Sequence, residues 1–60
     1  MVRQIRALQL ALDIDTPVLL RMAREVSGDD RLRCIEELTS EDARALLADL
    51  QVIDAELVAA

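Results

Sequence analysis

The side chains of this sequence that could do chemistry are seven arginines, twelve carboxylates, Cys34 and a few hydroxyls, Ser27 and Ser40 among them. With no histidine and no tyrosine, nothing stands ready to take a proton from Cys34 or from either serine. Ser27 and Ser40 fall at expected helix ends, where capping accounts for them. The acidic pairs Asp13/Asp15, Asp29/Asp30, Glu36/Glu37 and Glu41/Asp42 sit at helix boundaries or on solvated faces, positions that suit capping and solubility. Asp13-Ile14-Asp15 opens like a calcium loop, but Thr16-Pro17 follows where further ligands and a glycine are required. A single glycine, Gly28, cannot build a phosphate-cradling loop. One cysteine without histidine makes neither a disulfide within the chain nor an ordinary zinc site. Cys34 reads as a small buried hydrophobe in the run Leu32-Arg33-Cys34-Ile35. These residues predict a protein that is not an enzyme and uses no cofactor or metal.

The arginines are the remaining chemistry. The net charge is -5, yet residues 1–33 hold six arginines against five acids, and residues 34–60 hold Arg44 against seven acids. Arg21 and Arg24, one helical turn apart, could join Arg31 and Arg33, and further off Arg3 and Arg6, in a basic patch on an acidic chain. With Leu20 beside them, Leu20, Arg21, Arg24, Arg31 and Arg33 form the predicted contact surface. Two readings share these residues. One is a small helix-turn-helix-like nucleic-acid binder, with two helices separated by Gly28. Against it stand the acidic total, which weakens phosphate attraction, the absence of aromatic stacking platforms, and Glu36 and Glu37 on the would-be recognition helix. The other reading, a protein partner, meets none of these objections and leads. Leu10, Leu20 or Val52, off the main apolar stripes, could add an apolar contact patch for a partner. Self-association through the long Leu/Ile stripe of the last helix is a related alternative, although that stripe does not sustain the heptads of a coiled coil.

Those residues must be positioned by helices. Apolar positions recur at steps of three and four, and no segment alternates with period two. The first helix is predicted over residues 2–12, with Ile5, Leu8, Ala11 and Leu12 inward and Arg3, Gln4, Arg6 and Gln9 outward. Thr16 is the expected cap of a second helix over 17–27, entered through Pro17 and ended by Gly28. Its inward face is Leu19, Met22, Ala23 and Val26. A short helix over 31–38, or a loop with one helical turn, should bury Leu32, Ile35 and Leu38. Thr39 and Asp42 form a capping-box pattern at the head of the last helix, over 40–57. That helix carries the longest stripe: Ala43, Leu46, Leu47, Leu50, Ile53 and Leu57. Its end is expected to fray at residues 58–60. The 60 residues thus predict one all-α domain, a small three-helix bundle with an additional short connecting helix. So short a chain buries only about 60% of its unfolded surface, which leaves room for a partner to add burial. No apolar run approaches the roughly 20 residues of a membrane span, and no secretory leader pattern opens the chain; a soluble, cytoplasmic protein is expected.

The order of elements from Ile5 to Leu50 also resembles a known domain. Val26-Ser27-Gly28, a short gap, Leu38-Thr39-Ser40-Glu41-Asp42-Ala43 and the leucine-rich run Leu46-Leu47-Ala48-Asp49-Leu50 are similar to the C-terminal helical domain of phage single-strand-annealing recombination proteins and Mu-type phage regulatory proteins. The resemblance implies a ubiquitin-associated-like architecture and an accessory role in DNA recombination or replication through protein contacts. Two departures bear on it. The last helix lacks the basic residues many such domains carry, which argues against DNA contact there. The Met-Gly-aromatic loop of ubiquitin binders is absent, which argues against ubiquitin as a ligand.

Overall fold

The computed structural model describes residues 1–59. Its order is α1 (Val2–Ala11), α2 (Thr16–Ser27), a 3-10 turn at Ile35–Glu37, and α3 (Ser40–Ala59), with no strand among the described residues. The all-α three-helix bundle expected from periodicity is the fold that forms. None of these helices is long and apolar enough to cross a membrane.

α1 and α2 both pack on α3 and touch each other little. Their shared interior is Ile5 from α1, Leu19 and Ala23 from α2, Leu32 and Ile35 from the connection, and Ala43, Leu46 and Leu50 from α3. α3 supplies the most, as its stripe predicts. With 20 residues it is about 30 Å long, close to the 34 Å longest dimension of the molecule. The 10 residues of α1 and 12 of α2 reach only about half to two-thirds as far. Cover along the stripe therefore runs out: Leu46 and Leu50 are fully buried, Ile53 is half-buried, and Leu57 is exposed. Leu57 was expected inside and is not, because neither shorter helix extends beneath it. α3 continues through Ala59, two residues past the expected Leu57; Ala60 lies outside the described residues.

The turns explain the remaining differences. α1 ends one residue before the expected Leu12, in a Schellman arrangement: Asp13 N–H donates to the Leu10 carbonyl at 3.2 Å and Ile14 N–H to the Gln9 carbonyl at 3.0 Å. Asp13 takes the left-handed conformation this motif needs, at φ 55°. α2 begins at Thr16, not Pro17, and its cap is Asp15, whose carbonyl accepts from Leu19 N–H at 2.9 Å. The Thr16 hydroxyl is engaged elsewhere, accepting from Gln9 Nε2 at 3.3 Å. Gly28 ends α2 at φ 70°, as expected.

Of the two expectations for 31–38, the loop with one helical turn is the one that forms, its turn being three 3-10 residues. Acidic side chains hold the backbone N–H groups of this segment in its extended and turn conformations. Asp29 Oδ1 accepts from Arg31 N–H at 2.9 Å, and one oxygen of Glu37 accepts from Arg33 N–H at 2.8 Å and Cys34 N–H at 3.2 Å. Cys34 is thereby held extended, at φ -154° and ψ 159°. Leu32 and Ile35 are buried as predicted, and Leu38 is half-buried. At the head of α3, Asp42 N–H donates to Thr39 Oγ1 at 3.1 Å, so the forward half of the predicted capping box forms; no bond from the Asp42 carboxylate back to Thr39 accompanies it.

Candidate functional site

The predicted contact residues come from α2 and the segment after it. Arg21 and Arg24 project from α2 and are exposed, as are Arg31 and Arg33 in the connection. One bond joins the two groups: Arg24 Nε–H donates to the Leu32 carbonyl at 3.0 Å. Arg31 and Arg33 flank Leu32 in sequence, so this bond ties the backbone between them to Arg24. Leu20 differs from the other four. It is half-buried and packs against the core, which leaves a partner only its outer edge. The wider apolar patch is divided in the same way, since Leu10 and Val52 are exposed and Leu20 is not.

Charge pairing around these arginines is sparse. Among the described residues the only ion pair within 4.0 Å is Arg6 with Glu36, at 3.0 Å. Arg6, a possible extension of the basic patch, is therefore engaged across the bundle. Its other terminal nitrogen donates to Gln9 Oε1 at 3.2 Å. Gln9 Nε2 in turn donates to the Ile14 carbonyl at 3.0 Å. Gln9 was expected on the outer face and is buried, because the α1 stripe runs through Val2, Ile5, Gln9 and Leu12. Ala11, expected inside, is exposed. The signal was available: positions 5, 9 and 12 fall at helical steps of four and three, and only the polarity of glutamine spoke against it.

The carboxylates beside the connection set its local field. The Arg6 guanidinium holds Glu36 below the usual carboxylate range, helped by backbone hydrogen bonding. Partial burial, then hydrogen bonding with Glu36 and the negative charge of Glu37 and Glu36, push the Cys34 thiol upward. Cys34 Sγ lies 3.7 Å from the Glu37 oxygen that accepts the two backbone N–H groups. A thiol so placed keeps its proton at neutral pH and is a poor nucleophile.

No helix begins at Arg31, so the segment that a helix-turn-helix would use for recognition is here a turn leading into three 3-10 residues that include Glu36 and Glu37. The described residues enclose no pocket, and the surface offered is an open one. No protein-family model, curated protein or solved structure matches the chain.

Proposed function

We propose that this chain is a non-enzymatic protein-interaction module whose contact face is Arg21, Arg24, Arg31 and Arg33 with the outer edge of Leu20. The observation that supports the reading is the Arg24–Leu32 hydrogen bond, which ties α2 to the segment that carries the exposed Arg31 and Arg33. None of the four is neutralised by a carboxylate within 4.0 Å among the described residues, although the protein is acidic overall. Guanidinium groups without a carboxylate partner suit planar, bidentate contact with carboxylates on a partner protein. The resemblance to phage recombination and regulatory domains supports a partner in DNA recombination or replication, with the module as an accessory.

The test is affinity capture on the immobilised chain, comparing wild type with Arg21→Glu/Arg31→Glu. Neither of these side chains makes a hydrogen bond within the fold, so the double variant should fold normally, whereas a change at Arg24 would also disturb the connection. The reading expects a protein retained by wild type in a salt-sensitive manner and lost from the variant. Equal recovery from both would remove the arginine face from consideration. A gel shift with single- and double-stranded DNA at low ionic strength separates the nucleic-acid reading, which predicts a complex whose affinity falls steeply with salt.

A further inference from the structure

The apolar stripe of α3 outruns its cover, and what borders the uncovered part has a single sign of charge. At about 100° per residue, Leu46, Leu50, Ile53 and Leu57 fall on one line of the helix. The first two are fully buried, Ile53 is half-buried, and Leu57 is 61% exposed. Asp49 and Glu56 border this line on one side and Asp54 on the other, by the same helical geometry. No arginine or lysine follows Arg44, and none of the three carboxylates has an ion-pair partner within 4.0 Å among the described residues.

We propose that this end of α3 is a docking surface for a basic amphipathic helix of a partner protein. Apolar side chains spaced three and four apart on that helix lie along Ile53 and Leu57, and its flanking arginines or lysines meet Asp49 and Glu56 on one edge and Asp54 on the other. A second copy docked through this same end is the wrong occupant. Pairing two such ends through α3 brings the three carboxylates of each copy to one seam with no cation between them. This surface lies on a different element from the arginine face and does not rest on that reading.

The probe is a fluorescein-labelled synthetic helix about eighteen residues long, with leucines at i, i+3, i+4 and i+7 and lysine or arginine on both flanks. A control peptide keeps the leucines and carries glutamate on the flanks. Fluorescence anisotropy should show binding of the basic helix and not of the acidic one, with affinity falling as salt is added. Leu57→Ser should weaken binding about tenfold or more. Asp49→Asn/Asp54→Asn/Glu56→Gln should weaken it by about tenfold at low ionic strength. Arg21→Glu/Arg31→Glu should bind the probe no more weakly than wild type. Because Leu57 is exposed, its variant should melt as wild type does, and circular dichroism checks this. Absence of binding up to about millimolar peptide, equal binding of the acidic control, or indifference to Leu57→Ser would each overturn the proposal. Sedimentation showing self-association that Leu57→Ser abolishes would also overturn it, by assigning the surface to a second copy.

Discussion

Arg24 holds the connection between α2 and α3 by donating its Nε–H to the carbonyl oxygen of Leu32 at 3.0 Å. Leu32 is buried, and its carbonyl would otherwise have to find water at the edge of the core. Arg24→Met keeps most of the side-chain stem and removes the donor, and is expected to cost about 1 kcal/mol of stability. Arg21→Met, one turn earlier with no hydrogen bond to lose, should stay within about 0.5 kcal/mol of wild type. Urea midpoints of the two variants, compared at unchanged m, measure the difference. If they match, the bond to Leu32 contributes nothing.

Among the described residues Gln9 is the single buried polar side chain, 8% exposed, and all of its partners come from nearby chain. It donates to the Ile14 carbonyl and the Thr16 hydroxyl and accepts from Arg6, so one amide joins α1 to the turn before α2. Gln9→Met preserves the volume and strips every hydrogen bond, leaving the Ile14 carbonyl without this donor. The expected loss is about 1 to 2 kcal/mol. A thermal melt of Gln9→Met at or above the wild-type midpoint would mean that the apolar gain outweighs the amide.

Periodicity and punctuation made most of this fold legible before any coordinates. Gly28, the Leu38-Thr39 entry to α3, and the stripe through Ala43, Leu46 and Leu50 all lie where their residue types place them. Polarity misled at Gln9, because a side chain that finds three partners nearby can sit on a buried stripe. Between Arg31 and Leu38 spacing left a short helix and a loop with one turn both open, and the loop forms with Asp29 and Glu37 accepting the N–H groups of Arg31, Arg33 and Cys34. For the candidate site, arginine identity and charge split were readable, but the bond that brings Arg24 to Leu32 depends on how the connection folds back. The exposed end of α3 was hidden for a simpler reason. A stripe read from spacing does not say how far its neighbours reach.

Asp13 and Gly28 occupy the same kind of position, the left-handed residue after a helix, with φ 55° and φ 70°. Glycine accepts this conformation freely, whereas a residue with a Cβ gives up about 1 kcal/mol there. Asp13 also sets a carboxylate at the negative end of α1. Asp13→Gly should therefore raise stability by about 0.5 to 1 kcal/mol. At Gly28 an added Cβ would meet nothing within 4 Å, so Gly28→Ala tests backbone strain alone and should cost about 1 kcal/mol. Chemical denaturation of both single variants gives two shifts of opposite sign. Shifts of the same sign would refute the account of these two turns.

The ion pair between Arg6 and Glu36 predicts how stability responds to acid. Hydrogen bonding to Arg6 lowers the Glu36 pKa in the folded protein, so the unfolded chain binds its proton first as pH falls. The stabilisation is fully present above the unfolded value and is lost as pH falls through the lower folded value. Both side chains are partly exposed, 41% for Arg6 and 52% for Glu36, so the effect is modest and weakened by salt. Glu36→Gln removes the titration and should melt below wild type near pH ~6. The gap should begin to narrow as pH falls past the ordinary glutamate value and close only below the lowered folded one. Melting temperatures taken across that range at low ionic strength make the comparison. A gap that stays constant with pH would show that Glu36 acts on the fold by shape and not by charge.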